Sequence, residues 1–295
     1  METKRTLPLN GFRLAYWIDR PAGARQTLIM LHGLASNHTR WSEFVAHTHL
    51  RGRWTLVRPD LRGHGESMYR GRISRPRWVA DLHRLAAAEN LAPAVVAGHS
   101  LGAEIALDWA VTHPRDCAGL ILVDPVVPRN LRGILGVLRR LRWLLWLPIL
   151  VLWFFNALGL RKRHFPQRDL WALDRQTRAT LAAHPELSIA DLYTRPQADF
   201  PYIPLANYLQ DHFEVSRPLP PLAKITQPVL VIRSRRSALE EAADNDAILR
   251  QLADVTFADV DCDHWPLTEK PDEVRRIIDD WCQRRFERRT ADTTA

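Results

Sequence analysis

The chain has 295 residues, 46% hydrophobic and 25% charged, which excludes a disordered or fibrous protein and suits one large domain with or without an insertion. A net charge of +8 favours anionic partners, yet no helix-turn-helix, RNP or zinc-finger pattern is readable, so nucleic acid is not expected. Cys117, Cys262 and Cys282 are too few and too widely spaced for a disulfide framework or a metal site and fit a reducing compartment. The opening residues 1–8 hold no apolar run of the signal-peptide kind, so a cytoplasmic location is expected, with peripheral membrane association left open by a segment described below.

Short apolar runs alternate with longer amphipathic stretches, the pattern of a largely parallel sheet with helices on its faces. Strands are predicted over 26–31, ending at His32-Gly33, over 54–58, followed by Pro59-Asp60, over 94–97, and over 119–123, running into Asp124. Helices are predicted over 39–49, 77–89 and 101–112. The rhythm breaks after Pro125 and resumes with strands over 229–232 and 255–257 and helices over 240–252 and 271–285, beyond which the Arg-rich tail is expected to fray. The long interval reads as a helical cap or lid over 126–224, set into a core of 1–125 and 225–295.

Gly98-His-Ser-Leu-Gly102 is a G-x-S-x-G pentapeptide between a predicted strand and a predicted helix. The chemistry needs that context: a sharp strand-to-helix turn exposes the Ser100 hydroxyl, and the glycines leave room for it. The alternative is a tight turn carrying an idle serine.

Together with Leu31-His-Gly-Leu-Ala-Ser36, Arg58-Pro-Asp-Leu-Arg-Gly-His-Gly-Glu-Ser67 and the block from Asp263 to Val274, the pentapeptide resembles the α/β-hydrolase superfamily over nearly all the chain outside the lid. The resemblance implies Ser100 as nucleophile, His264 as general base, and an oxyanion hole from the amides of Leu34 and Leu101. His32 would orient its loop, the 60–65 turn would brace the active-site face, and His64 would take no part in catalysis. The chain departs from the pattern at the third member, because 233–239 offers no carboxylate where many relatives place one. Asp124, at a strand end, is the preferred acid, with Glu240, Glu241 or Asp244 as alternatives and a turn-forming Asp before Pro125 as the structural reading. No metal or organic cofactor is implied. The reaction expected is hydrolysis of a lipophilic carboxylic ester. C–C bond hydrolysis, acyl transfer or a non-catalytic membrane-associated binding module remain alternatives, since fold does not fix function.

Within the interval, Arg139-Arg-Leu-Arg142 precedes 18 uncharged residues, 143–160, and Arg161-Lys-Arg163 follows. That length approaches the ~20 residues of a spanning helix. A single crossing would put Ser100 and His264 on opposite sides of a bilayer although one sheet must hold both, and Pro148 interrupts the run. The segment reads instead as a lid whose apolar face meets an anionic membrane surface. The alternatives are a helix lining an acyl pocket and a contact with another protein.

Overall fold

The computed structural model describes residues 1–131, 133–193, 196–236 and 242–287. Eight strands form one sheet in the order β1-β2-β4-β3-β5-β6-β7-β8: Thr3–Leu9, Phe12–Asp19, Thr27–Leu31, Thr55–Pro59, Ala94–His99, Cys117–Val123, Pro228–Ser234 and Asp254–Val260 in chain order. From β4 to β8 across the sheet every pairing is parallel, whereas β2 runs antiparallel to both β1 and β4. This is the α/β-hydrolase fold expected from the sequence.

Side chains alternate strictly across the sheet and define its two faces. Ile29, Val96, Leu122 and Val231 point to one side, with Trp78, Leu82 and Trp109. Met30, Val95, Ile121 and Leu230 point to the other, with Trp41, Phe44 and Trp281. Helices α2 (Arg75–Glu89) and α3 (Leu101–Thr112) cover the first face, and α1 (Ser42–His47) lies on the second.

Between β6 and β7 no strand occurs among the described residues. The interval holds α4 (Gly133–Arg140), α5 (Trp146–Ala157), α6 (Leu170–Ala183), α7 (Ile189–Tyr193) and α8 (Leu205–Val215). Helices α9 (Ala242–Leu249), α10 (Pro266–Glu269) and α11 (Pro271–Cys282) follow β7 and β8, with α11 on the second face.

Three expectations are corrected. The β1–β2 hairpin is additional to the predicted strands; Gly11, at φ +82°, turns it after Asn10, and Leu9 pairs with Phe12. The predicted helix over 39–49 is a single turn at His38–Trp41 followed by α1. Of the tail expected to fray, 288–295 lies outside the described residues, but its start is packed: Phe286 lies edge-on against Trp54 and Trp281, and Glu287 accepts from the Trp54 indole (2.8 Å) and from Arg53 (2.7 Å).

Candidate active site

Ser100 lies between β5 and α3, and the turn it makes is forced. Its φ is +52° and ψ −121°, a conformation that L-residues rarely adopt and that marks stored backbone strain. The flanking glycines are obligatory: a Cβ on Gly98 would lie 2.2 Å from the Gly102 carbonyl group, and one on Gly102 would lie 2.6 Å from the Leu31 carbonyl oxygen. The Ser100 amide donates to the Val123 carbonyl (3.0 Å), tying the turn to β6. The side chain is left only slightly open to solvent, with Ser100 8% exposed.

His264 follows β8 in the loop before α10, and its Nε2 lies 3.0 Å from Ser100 Oγ. Its Nδ1 lies 2.5 Å from Asp124 Oδ2. Asp124 is fixed by the neighbouring strand: its amide donates to the Ile232 carbonyl (2.8 Å), and its Oδ1 accepts from the Ser234 amide (2.9 Å). The Asp124 backbone is left-handed, with φ +44°, which turns the carboxylate off the end of β6 toward β7. With Nδ1–H directed at a carboxylate, the Nε2 lone pair faces the serine hydroxyl, the arrangement a general base requires. Of the alternative acids, Glu240 and Glu241 lie outside the described residues, as does the side chain of Asp244.

His99 plays a part that sequence reasoning missed. It occupies the variable position of the pentapeptide, and its Nε2 donates to the His264 carbonyl (3.0 Å). Burial, reinforced by the nearby His264, pushes its pKa down to about 3, so the ring is neutral and carries the proton on Nε2 that this bond needs. The motif places His99 at the end of β5 beside Ser100, but no local pattern says that its ring meets the loop after β8.

The His32-Gly33 loop abuts Ser100. A Cβ on Gly33 would lie 3.4 Å from Ser100 Cβ, so the segment carrying the Leu34 amide flanks the serine. The Leu101 amide is in the first turn of α3, where N–H groups have no intrahelical acceptor. His32 is buried, with its pKa pushed down to about 3 chiefly by that burial. Its Nε2 accepts from the Leu61 amide (3.0 Å), leaving Nδ1–H to donate to the Gly33 carbonyl (2.9 Å). Asp60 accepts from the His38 amide (2.7 Å), the His38 ring (2.8 Å) and the Glu66 amide (2.7 Å). Burial alone would raise its pKa, but His38 outweighs that and holds the carboxyl below its ordinary value. His64 pairs with Asp211 Oδ2 of α8 (2.8 Å).

Among the described residues one group of metal-ligating type lies elsewhere: His83, His113 and Asp116. The two imidazoles stack 4.0 Å apart at 6°, and Asp116 Oδ2 lies 2.9 Å from His83 Nδ1.

Residues 28–277 match the family described as alpha/beta hydrolase, and the chain belongs to that family. It is similar to Lipase LipV of Mycobacterium tuberculosis, 31% identical over 107 residues that make up 36% of this chain and 40% of that one. It is also similar to an uncharacterized protein of the same organism, 32% identical over 39% of this chain and 33% of the relative. The matched stretch thus spans less than half of these curated relatives. Among solved structures, a thermophilic esterase from Thermogutta terrifontis superposes with a TM-score of 0.68 at 21% identity, over 97% of this chain and 99% of the esterase.

Proposed function

We propose that the protein is a serine hydrolase that cleaves carboxylic esters of a lipophilic substrate. The observation that carries this reading is the unbroken relay Ser100–His264–Asp124, with contacts of 3.0 Å and 2.5 Å. His264 Nε2 removes the Ser100 proton as Oγ bonds to the ester carbonyl carbon. The Leu34 and Leu101 amides hold the oxyanion, and Asp124 fixes the tautomer and balances the imidazolium. Collapse breaks the ester C–O bond, His264 returns the proton to the departing alcohol, and an acyl-serine remains. Water, deprotonated by the same imidazole, then releases the acid and restores Ser100. A lipase and an esterase among the similar proteins support the ester class. The apolar helical interval, read here as the lid, supports a lipophilic acyl or alcohol group.

A fluorophosphonate probe should label the wild type and fail on Ser100→Ala, while p-nitrophenyl esters of increasing chain length rank the acyl preference. Asp124→Asn should lower kcat by up to about 10⁴, the scale seen when a triad loses its acid. Absence of wild-type labelling would sink the reading in favour of a non-catalytic binding module. A mild Asp124→Asn beside a severe Glu241→Gln would move the acid. Acyl transfer or C–C cleavage would appear as products other than the free acid and alcohol of the ester.

A further inference from the structure

Helix α5 is apolar on every side. Its inner residues Ile149, Leu152 and Trp153 are buried or half-buried where it packs on α8, and the Trp146 ring lies 5.5 Å from that of Phe213. Its outer stripe, Leu147, Leu150, Val151, Phe154, Phe155 and Leu158, recurs at helical spacing and faces solvent; Leu147 is 69% exposed, Leu150 55%, Phe154 62% and Leu158 61%. Trp143 and Leu160 extend the patch at its two ends. A surface helix ordinarily carries polar residues there, and a contiguous apolar area of this kind marks a contact site.

We propose that this face docks on the surface of an anionic lipid bilayer, with α5 lying in the plane of the interface. Charge selects the partner. No Asp or Glu occurs between Asp124 and Asp169, whereas nine Arg or Lys do. Arg140 stands exposed on one side of the patch and Arg161, Lys162 and Arg163 on the other. Arg168 is paired with Asp199 (2.5 Å), while Arg70 and Arg142 have pKa values below the ordinary one, through burial first and then through Arg161 and Arg217 respectively. A second copy of the chain would bring these cations against their own kind, whereas anionic headgroups neutralise them while acyl chains receive the Leu, Trp and Phe side chains. Helix length selects the orientation. The 12 residues of α5 reach about 18 Å, short of the ~30 Å hydrocarbon core, and none of the described helices is long and apolar enough to cross. Docking of this kind requires neither Ser100 nor an ester.

Flotation of the full chain with phosphatidylcholine vesicles, with and without added phosphatidylglycerol, tests this. Binding is expected on the anionic vesicles, with a blue shift of tryptophan emission, and it should weaken with salt. Neutralising Arg161, Lys162 and Arg163 to Gln should weaken it on the order of a hundredfold, at about tenfold or less per cation. Leu147→Ser with Phe154→Ser should abolish it while far-UV circular dichroism stays unchanged. Arg25→Gln with Arg276→Gln, exposed cations remote in sequence from the patch, should leave it intact. Failure to bind either vesicle type overturns the proposal. So does self-association in solution that the Leu147→Ser and Phe154→Ser pair abolishes without vesicle binding, because the face would then meet protein.

Discussion

Helices α5 and α8 lie against each other in one interval and depart from the usual amphipathic rule in opposite directions. Helix α8 buries polar side chains: Asn207, Gln210, Asp211 and Glu214 recur at helical spacing and are almost wholly removed from solvent. Each accepts or donates where the loop before α2 needs it. Asn207 donates to the Gly63 (3.0 Å) and Tyr69 (2.7 Å) carbonyls, Gln210 accepts from the Ile73 amide (2.9 Å), and Glu214 accepts from the Arg75 amide (2.9 Å). Asp211 takes the His64 ring at 2.8 Å and the Ala35 amide at 3.4 Å. Helix α5 exposes apolar side chains and packs inward mainly on α8, with the Arg72 guanidinium over its Trp146 ring at 5.3 Å. The difference separates anchor from cargo. One helix fastens the interval to the sheet-bearing core by satisfying its backbone, and the other turns its outer stripe to solvent with nothing among the described residues to cover it. A second polar anchor sits in α6, where Asp174 holds buried Arg40 at 2.8 Å and 2.7 Å.

Substitutions in the two helices should therefore behave unlike each other. The largest effect is expected from Asp211→Leu, which strands the His64 ring in a buried site; urea unfolding should show a loss of about 3–5 kcal/mol. Burial opposes charge on His64, but Asp211 outweighs it and raises the pKa above its ordinary 6.5. A value raised on folding contributes stability that is complete below the unfolded pKa and is lost as pH rises through the folded one. The gap between wild type and Asp211→Leu should thus be widest below about pH 6.5 and shrink toward alkaline pH. A gap that grew with pH would show that the pair is not ionic. Glu214→Ala, which leaves the Arg75 amide without its acceptor, should cost about 1–3 kcal/mol. Smallest of all, Leu150→Ser or Phe154→Ser should change stability by no more than about 0.5 kcal/mol, the range for open surface positions. A loss of 2 kcal/mol or more at either (the scale of core truncations) would mean that α5 is covered from within the chain.

The contrast also shows why the sequence was readable in places and opaque in others. Core strands announced themselves because both faces of a parallel sheet are buried, so 26–31 or 119–123 stand out as unbroken apolar runs. The two glycines around Ser100 were legible for a steric reason that the Cβ clashes make explicit. The edge hairpin escaped because β1 is largely exposed and mixed in composition, although Asn10-Gly11 carries the hairpin signal. Helix α8 was illegible for a deeper reason. Its stripe of Asn, Gln, Asp and Glu has the spacing of a wet face, and only the distant residues 63–75 reveal it as an interior one. The meeting of Asp124 with His264 likewise depends on a left-handed residue and on strand pairing 110 positions away, which no local pattern encodes.

The tethering of Asp124 to β7 has a consequence for the order of assembly during synthesis. Everything that shapes the Ser100 turn, from β3 to β6, leaves the ribosome before residue 130, but the Ile232 and Ser234 backbone groups that aim the carboxylate emerge a hundred residues later, and His264 later still. The proposed nucleophile is thus synthesised, with the strands that shape its turn, before the proposed acid's tether and the proposed base, and the apolar α5 is made in between.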